Sequence, residues 1–185
     1  MERKGPVIVL CLIVVGLIVA SLSELLMPLG YGVALLWLGV AVIANGGIWF
    51  GGWGVLAGVL FPFLSAQFQG FSLEDSLSEI LPNLVDGLIP AFAFRHLGTD
   101  PALQDRRGVS AYMIWVVVVP SLLSGALVGG SWILIGKADW GAIRLLALDW
   151  SLSNMVVLTV LGFPALYLLT PVFRRRGWLV EGWWR

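Results

Sequence analysis

Acidic and amide side chains interrupt one apolar stretch of the chain, and their spacing points to the binding of a solute or cation. In the run SLEDSLSEILPNLVDGLIPAF (72–92), Glu79, Asn83 and Asp86 follow one another at intervals of four and three residues. At about 100° per residue, this spacing places the three side chains on one face of a helix. Carboxylate and amide oxygens on one face accept hydrogen bonds from a solute or contact a cation, so the run predicts the wall of a binding site.

The composition of the chain is typical of an integral membrane protein. Of its 185 residues 59% are hydrophobic and 12% are charged, and the mean hydropathy is +0.94. A soluble domain carries about 25% charged residues. The formal net charge of zero excludes a nucleic-acid partner bound through overall basicity. We therefore expect a protein that is embedded in a membrane.

The apolar segments and the basic residues together predict the topology. A spanning helix needs about 20 mostly apolar residues. By that measure we predict spans near 7–27, 29–46, 48–67, 74–95, 111–135 and 151–173. Six spans with both termini in the cytoplasm place nine of eleven basic residues inside and only Lys137 and Arg144 outside. The predicted fold is an all-α integral membrane protein with six transmembrane helices, one polytopic domain over residues 1–185, in the cell membrane of a prokaryote.

Two stretches leave alternatives open. The start, MERKGPVIVLCLIVVGLIVAS, has the basic head and apolar core of a signal peptide, with a conceivable cleavage after Ala20. We favour an uncleaved first span because the apolar run continues to Met27. The junction NGGIWFGGWG (45–54) is either a hinge or part of a re-entrant loop.

Asp86 is the acid that is hardest to explain by local structure. Glu74 and Asp75 suit a helix start after Ser72, with acids in the first turn. Asp86 lies about 21 Å further along the helix axis, roughly mid-membrane, where an ionised acid costs several kcal/mol unless it is paired. No Lys or Arg falls within a predicted span core. We expect Asp86 to be protonated, hydrogen-bonded to Asn, Ser or Trp donors, or neutralised by a cationic ligand or coupling ion.

A second polar stretch lies at the start of the last predicted span. Trp150 and Asn154 are four residues apart and therefore share a helix face. A Trp at this depth is ordinarily an interfacial anchor. An aromatic face beside an amide and acids also holds cationic or heteroaromatic ligands, so both residues are candidate ligand contacts.

Small residues at intervals of four predict close helix packing. Gly54 and Gly58 have this spacing in the third span, and Gly16 and Ala20 have it in the first. We assign the first pair to packing. The second serves either internal packing or docking to another membrane subunit.

The chain offers few groups for catalysis. It has one Cys and one His, and it contains no HExxH, GxSxG or GxxxxGK[ST] motif. We predict a protein that is not an enzyme, with no catalytic residue, no metal site and no cofactor.

Two segments resemble a known family. The run GGIWFGGWGVLAGVLFPFLSAQFQGF, followed by LPNLVDGLIPAFAFRHLG, is similar to the Gly-rich third span, outer loop and fourth span of the substrate-binding (S) components of energy-coupling factor (ECF) transporters. The resemblance covers nearly the whole chain, although the family's motifs are loose. Gly16-xxx-Ala20 departs from the Ala-xxx-Ala pair that these proteins use for docking.

This resemblance implies a subunit that captures a vitamin or a metal for a multi-subunit importer. Together with the acidic, amide and aromatic side chains described above, it predicts the uptake of a small vitamin-like solute, cationic or zwitterionic and aromatic, captured near the outer face. It would act with a transmembrane coupling subunit and ATPase subunits. Carried onto this sequence, the ligand contacts are Glu79, Asn83, Trp150 and Asn154, with Asp86 deeper.

Two other interpretations compete with the importer. The segments NLVDGLIPAFAFRHLG and DWSLSNMVVLTVLGFPAL are also similar to the membrane sensor domains of bacterial histidine kinases and cyclases. Such a domain would act with a separate signalling partner. The third interpretation is a small proton- or cation-coupled secondary transporter that uses Asp86 as its titrating group.

Overall fold

The protein folds into helices joined by short connections, with one small β-hairpin. The computed structural model describes residues 4–26, 28–30, 33–34, 36–137 and 139–184. The helices are α1 (Lys4–Leu26), α2 (Gly39–Phe50), α3 (Gly52–Phe68), α4 (Leu73–Ser78), α5 (Ile80–His96), α6 (Arg106–Tyr112), α7 (Val119–Leu134), α8 (Trp140–Val157) and α9 (Phe163–Arg175). Two π-helical segments, π1 (Met113–Val118) and π2 (Leu158–Gly162), join α6 to α7 and α8 to α9. Strands β1 (Pro28–Gly30) and β2 (Val33–Ala34) pair antiparallel.

Among the described residues, four helical runs are long and apolar enough to cross a membrane. They are Gly5–Leu26, Leu73–His96, Arg106–Leu134 and Trp140–Arg175. Helices α2 and α3 are also apolar but have only 12 and 17 residues. At 1.5 Å per residue they extend about 18 and 26 Å, less than the hydrocarbon core of about 30 Å. The architecture is therefore compatible with a multi-pass membrane protein, while the count of six spans stays a prediction.

The predicted second span is wrong in its first half. Residues 28–30 and 33–34 form the hairpin, and α2 begins only at Gly39. Pro and Gly residues in PLGYG explain the difference, because Pro lacks the amide hydrogen and Gly is costly in a helix interior. The backbone N–H of Leu38 donates to the hydroxyl of buried Ser23 on α1 at 2.9 Å, which fixes the entry to α2.

The last span is longer than predicted. Residues 136–150 were expected to form an external connection, but α8 begins at Trp140 and the helical run continues to Arg175. Asp139 caps its start, since its carboxylate accepts a hydrogen bond from the Ala142 amide at 2.8 Å. Trp150 and Asn154 therefore lie within a helix rather than at its beginning.

Helix α2 is the central helix of the bundle. Every residue from 43 to 52 is buried, and α2 packs against α1, α3 and α5. A Cβ added to Gly54 would lie 1.9 Å from the carbonyl oxygen of Gly46, and one added to Gly47 would lie 2.5 Å from that of Gly87. These glycines let the backbones of α3 and α5 approach α2 closely.

Gly51 forms the turn between α2 and α3. Its φ of +63° is a left-handed conformation that favours glycine. The segment 45–54 was predicted to be a hinge or part of a re-entrant loop. Within it, Gly51 alone forms a turn, and this turn connects two helices that pack along each other. The C-terminal segment 178–184 covers this turn. The carbonyl oxygen of Trp183 accepts a hydrogen bond from the Gly52 amide at 2.7 Å. The amide of Val180 donates to the carbonyl oxygen of Trp49 at 2.9 Å.

Arg95 holds the C-terminal segment in place. Its guanidinium donates to the carbonyl oxygens of Gly182 at 2.8 Å and Val180 at 3.3 Å, and also to that of Gly47 at 3.1 Å. It also lies over the ring of Trp183, 5.4 Å from the ring centroid. An arginine expected only to mark the cytoplasmic side thus ties α5 to α2 and to the end of the chain.

The first turn of α1 and the end of the C-terminal segment lie at one end of the bundle. A Cβ on Gly5 would contact the ring of Trp53, and Trp53 in turn stacks edge-on against Trp184 at 5.0 Å. Contacts at the opposite end include the hydrogen bond of 2.5 Å from Gln69 to Glu24. The placement of both termini in the cytoplasm stays a prediction.

Candidate functional site

A hydrogen bond between α5 and α8 joins the two deepest polar residues predicted from the sequence. The Nδ2 of Asn154 donates to Oδ2 of Asp86 at 3.0 Å. Asp86 is 1% exposed and Asn154 is 3% exposed. The other carboxylate oxygen, Oδ1, is buried without a hydrogen-bond partner among the described residues. An oxygen of this kind is costly to bury, so it marks a place where a ligand, a proton or water completes the site.

Three serines of α7 and α8 lie next to Asn154 in space or along its helix. The amide of Asn154 also lies 3.4 Å from Oγ of Ser124 on α7. Ser151, on α8, donates to the carbonyl oxygen of Ser121 on α7 at 2.9 Å. All three serines are buried, and the Ser121 hydroxyl has no partner among the described residues. The site thus draws on α5, α7 and α8.

Gly125 lets α7 and α8 come close enough to build the site. A Cβ at this position would lie 2.2 Å from Oγ of Ser151 and 2.6 Å from the carbonyl oxygen of Ala147. Both distances are far below van der Waals contact. Any larger residue at position 125 would push apart the helices that carry Ser124 and Asn154.

The π2 segment follows Asn154 by one turn and is itself held by side chains. The Tyr112 hydroxyl donates to the carbonyl oxygen of Leu158 at 2.8 Å, and Nδ2 of Asn45 donates to that of Gly162, also at 2.8 Å. Single π turns in helices are frequent at functional sites. Here the two side chains fix the backbone of the helical run immediately after Asn154.

Asn83 lies one turn from Asp86 on the same helix. It is 2% exposed, and its Nδ2 donates to the backbone oxygen of Glu79 at 2.9 Å. Its own Oδ1 is buried and has no partner within the described chain. Asn83 therefore presents a second open acceptor on the face of α5 that carries Asp86.

Glu79 lies at a break in the helix rather than on a continuous helical face. Helix α4 ends at Ser78 and α5 begins at Ile80. Pro82 lacks the amide that would bond the Ser78 carbonyl, and the hydroxyl of Ser131 on α7 donates to that carbonyl instead at 3.2 Å. The Glu79 side chain is half-buried, and within the described chain it forms no hydrogen bond with Asp86 or Asn154. The structure therefore does not bring the Glu79 side chain into the hydrogen-bonded group around Asp86.

Trp150 is half-buried one turn before Asn154. Its indole Nε1 is buried and, among the described residues, has no acceptor. The same is true of Trp132 on α7. An interfacial anchor normally keeps its N–H at the polar surface, so the burial of this group favours a contribution to the site.

Open polar atoms concentrate on the three helices of the site. In the described part of the chain seven buried side-chain atoms lack a partner. Five belong to α5, α7 and α8: Oδ1 of Asn83, Oδ1 of Asp86, Oγ of Ser121, and Nε1 of Trp132 and Trp150. Native proteins leave few such atoms, and this group comprises two acceptors, two donors and one hydroxyl that can donate and accept.

No fixed countercharge faces Asp86 within the described residues. The ion pairs there join Lys137 to Asp75 and Arg174 to Asp100, both distant from the site along the chain. The described part of the chain also contains no group of three or more His, Cys, Asp or Glu side chains placed to bind a metal. A positive group for Asp86 would therefore come from a proton or from a bound solute.

The predicted packing residues all lie at helix contacts. Gly16 faces the ring of Phe61 on α3, where an added Cβ would lie 2.5 Å away, and Ala20 is fully buried. Gly54 touches α2 at Gly46, and a Cβ on Gly58 would lie 3.0 Å from Ile43. Gly16 and Ala20 therefore pack inside the protein, which leaves no accessible docking face at that pair.

Sequence reasoning missed the serines and Trp132. Ser121 and Ser124 stand three residues apart within the apolar stretch 111–135, a spacing that places two hydroxyls on one helix face. That pair, followed by Gly125, was a usable signal. Ser151 shares the helix of Asn154 at a spacing of three and could have been found in the same way.

Comparisons with known proteins give no relative. The chain matches no protein-family model, no curated protein and no solved structure.

Proposed function

We propose that the chain is the substrate-capture subunit of a multi-subunit importer, with the Asp86–Asn154 region as its solute-binding site. The observation that carries the proposal is the buried Asp86 carboxylate, which has one oxygen held by Asn154 and the other open. A binding subunit needs such preorganised polar atoms in an apolar setting.

The donor and acceptor pattern favours a solute that carries a positive charge. Asp86 would contact an ammonium or protonated ring nitrogen, and Asn83 and Ser121 would accept further hydrogen bonds. Trp150 would supply an aromatic face and a single N–H donor. A cationic or zwitterionic aromatic solute fits these groups better than an anion, because the Asp86 carboxylate has no countercharge among the described residues.

The importer assignment draws on the resemblance of the Gly-rich run and the LPNLVDG segment to ECF S components. In this proposal both termini lie in the cytoplasm, and the solute enters from the opposite end, past Glu79. Energy would come from a separate coupling subunit and ATPases. The small-residue pair of α1 does not supply the docking face, so a coupling subunit would contact other exposed residues.

The test is binding and co-purification. A thermal-shift screen of the purified protein with cationic, zwitterionic and neutral aromatic solutes should find stabilisers among the charged compounds. Asp86→Asn should abolish that shift, and Asp149→Asn, at an exposed position on the same helical run as Asn154, should retain it. Isolation from its native membrane should bring along a membrane subunit and ATPases. Solute uptake by the chain alone in ATP-free liposomes would contradict the importer.

The buried carboxylate also favours a second candidate, a proton- or cation-coupled secondary transporter. Asp86 has no countercharge among the described residues and would bind and release a proton as the solute moves. Transport by the isolated chain, driven by a proton gradient and lost in Asp86→Asn, would support this candidate over the importer.

A further inference from the structure

An apolar groove runs along the side of the bundle, away from the Asp86 site. It has a volume of about 400 Å³, and the face of α5 from Leu88 to His96, with Leu97 directly after it, forms one wall. Trp115 of π1 and Trp183 of the C-terminal segment form the rest. Leu88, Phe92 and Trp115 are each at least 39% exposed, so the groove opens sideways rather than into the bundle. We name it the lateral groove.

The lateral groove runs from a membrane surface inward. Leu88 and His96 are eight residues apart, which is about 12 Å along the helix axis. His96 is the last residue of the apolar run Leu73–His96, so its end of the groove lies at the boundary of the hydrocarbon core. The Leu88 end lies two turns deeper. An extended alkyl chain lying parallel to the helices fits this direction and this apolar lining.

The mouth of the lateral groove is basic. Arg107 is exposed, and its Nη2 donates to the carbonyl oxygen of Leu97, a lining residue, at 3.0 Å. Within the described chain, neither Arg106 nor Arg107 forms an ion pair with an acid. The carboxylate of nearby Asp105 is occupied by the Gly108 amide at 2.6 Å.

The whole end of the bundle around this mouth has an excess of positive charge. The segments 94–107 and 172–184 contain six arginines and three acids. One of the acids, Asp100, is paired with Arg174. Basic pockets beside membrane helices attract anionic headgroups, and each basic residue near the surface adds to the preference.

We propose that the lateral groove binds one acyl chain of an anionic phospholipid whose headgroup phosphate contacts Arg107. The apolar walls hold the chain, and the arginine selects the charge of the headgroup. Trp183 forms part of the wall, so a bound lipid also braces the C-terminal segment that Arg95 ties to α2. The proposal requires that the chain lies in a membrane, but it is independent of import or transport.

Native mass spectrometry of the delipidated protein tests this proposal. The probes are phosphatidylglycerol and phosphatidylcholine with the same acyl chains. The wild-type protein should bind one molecule of phosphatidylglycerol at least about fivefold more tightly than one molecule of phosphatidylcholine. Arg107→Gln should bring the two affinities close together, whereas Arg144→Gln, at an exposed site on α8, should leave the preference unchanged.

A second pair of variants tests the groove itself. Leu88→Trp fills the groove and should weaken binding of both lipids about tenfold, because it takes up the space of the acyl chain. Leu81→Trp is its control, at a position of α5 that is 52% exposed and does not line the groove. Equal binding of the two lipids by the wild type would overturn the proposal. So would equal lipid binding by the two Trp variants, or a protein dimer that Leu88→Trp dissociates without any bound phospholipid.

Discussion

Asn154 and Asp86 connect α8 to α5 through a single hydrogen bond of 3.0 Å, from the amide nitrogen to one carboxylate oxygen. Both side chains are almost fully buried, and the second carboxylate oxygen has no partner among the described residues. The Asn154 amide is the donor that lies within hydrogen-bond distance of this acid. The pair links α5 to α8 and leaves the other carboxylate oxygen without a hydrogen bond among the described residues.

Asn154→Ala should destabilise the protein by about 1–3 kcal/mol, because it removes the hydrogen bond to Oδ2 of the buried Asp86 carboxylate. Asp86→Asn should be as stable as the wild type or more stable, since it removes a buried acid and keeps an oxygen that accepts from Asn154. Thermal unfolding in detergent measures both. An Asn154→Ala protein as stable as the exposed control Gln104→Ala would contradict the structural importance of the pair.

Gly125→Ala should separate α7 from α8 and cost about 1–3 kcal/mol, since its Cβ would collide with Ser151 and with the Ala147 carbonyl. Gly130→Ala is the matched control on the same helix, because a Cβ there meets nothing within 4 Å. Alanine has the higher helix propensity, so this control should be neutral or slightly stabilising. Equal unfolding temperatures for the two variants would mean that the close approach at Gly125 is not required.

Arg95→Gln should loosen the C-terminal segment. The guanidinium makes hydrogen bonds to Gly182 and Val180, and bonds to a charged group contribute about 1.5–3 kcal/mol. Amide hydrogens in residues 178–184 should therefore exchange about tenfold faster or more, as measured by hydrogen–deuterium exchange with mass spectrometry. Arg175→Gln, at an exposed position, should leave the exchange unchanged. Unaltered exchange in Arg95→Gln would show that other contacts hold the segment.

The ion pair between Asp100 and Arg174 should make stability depend on acidic pH. The Arg174 guanidinium holds the pKa of the Asp100 carboxyl below its usual range. A lowered pKa in the folded state stabilises the protein above the unfolded-state pKa of about 3.9, and this stabilisation is lost as the pH falls through the folded-state value. Both side chains are more than 40% exposed, so the contribution is about 0.5 kcal/mol.

Asp100→Asn checks this pH dependence. It should lower the stability at pH 7 and should match the wild type progressively below about pH 4. The double variant Asp100→Asn, Arg174→Gln should lose no more free energy of unfolding than the two single variants lose together. A difference between wild type and Asp100→Asn that persists unchanged at pH 3 would contradict an electrostatic origin.

Helical periodicity located Asp86 and Asn154 separately, but it could not show that they meet, since contacts between α5 and α8 depend on how the whole bundle packs. The same limit applies to Arg95. Its charge indicated only a side of the membrane, while its partners are backbone carbonyls of a segment 85 to 87 residues away along the chain.

Local signals explain the errors at the helix boundaries. Polar residues at Lys137, Asp139, Arg144 and Asp149 suggested a loop, although Asp139 directly before Trp140 was a recognisable helix cap. The Pro and Gly residues around 28–32 likewise favoured a turn over a helix. Both features are present in the sequence, but a window of about 20 mostly apolar residues does not register such local signals.

The central claim is that Asp86 contacts a positively charged solute inside the bundle. Native mass spectrometry of the protein purified from its own membrane, without added solute, tests it most directly when wild type, Asp86→Asn and Asp149→Asn are compared. We predict one small cationic or zwitterionic molecule per chain in the wild type and in Asp149→Asn, and none in Asp86→Asn. Equal retention of the same molecule by Asp86→Asn, or a wild-type protein that carries and binds no such solute, would contradict the claim.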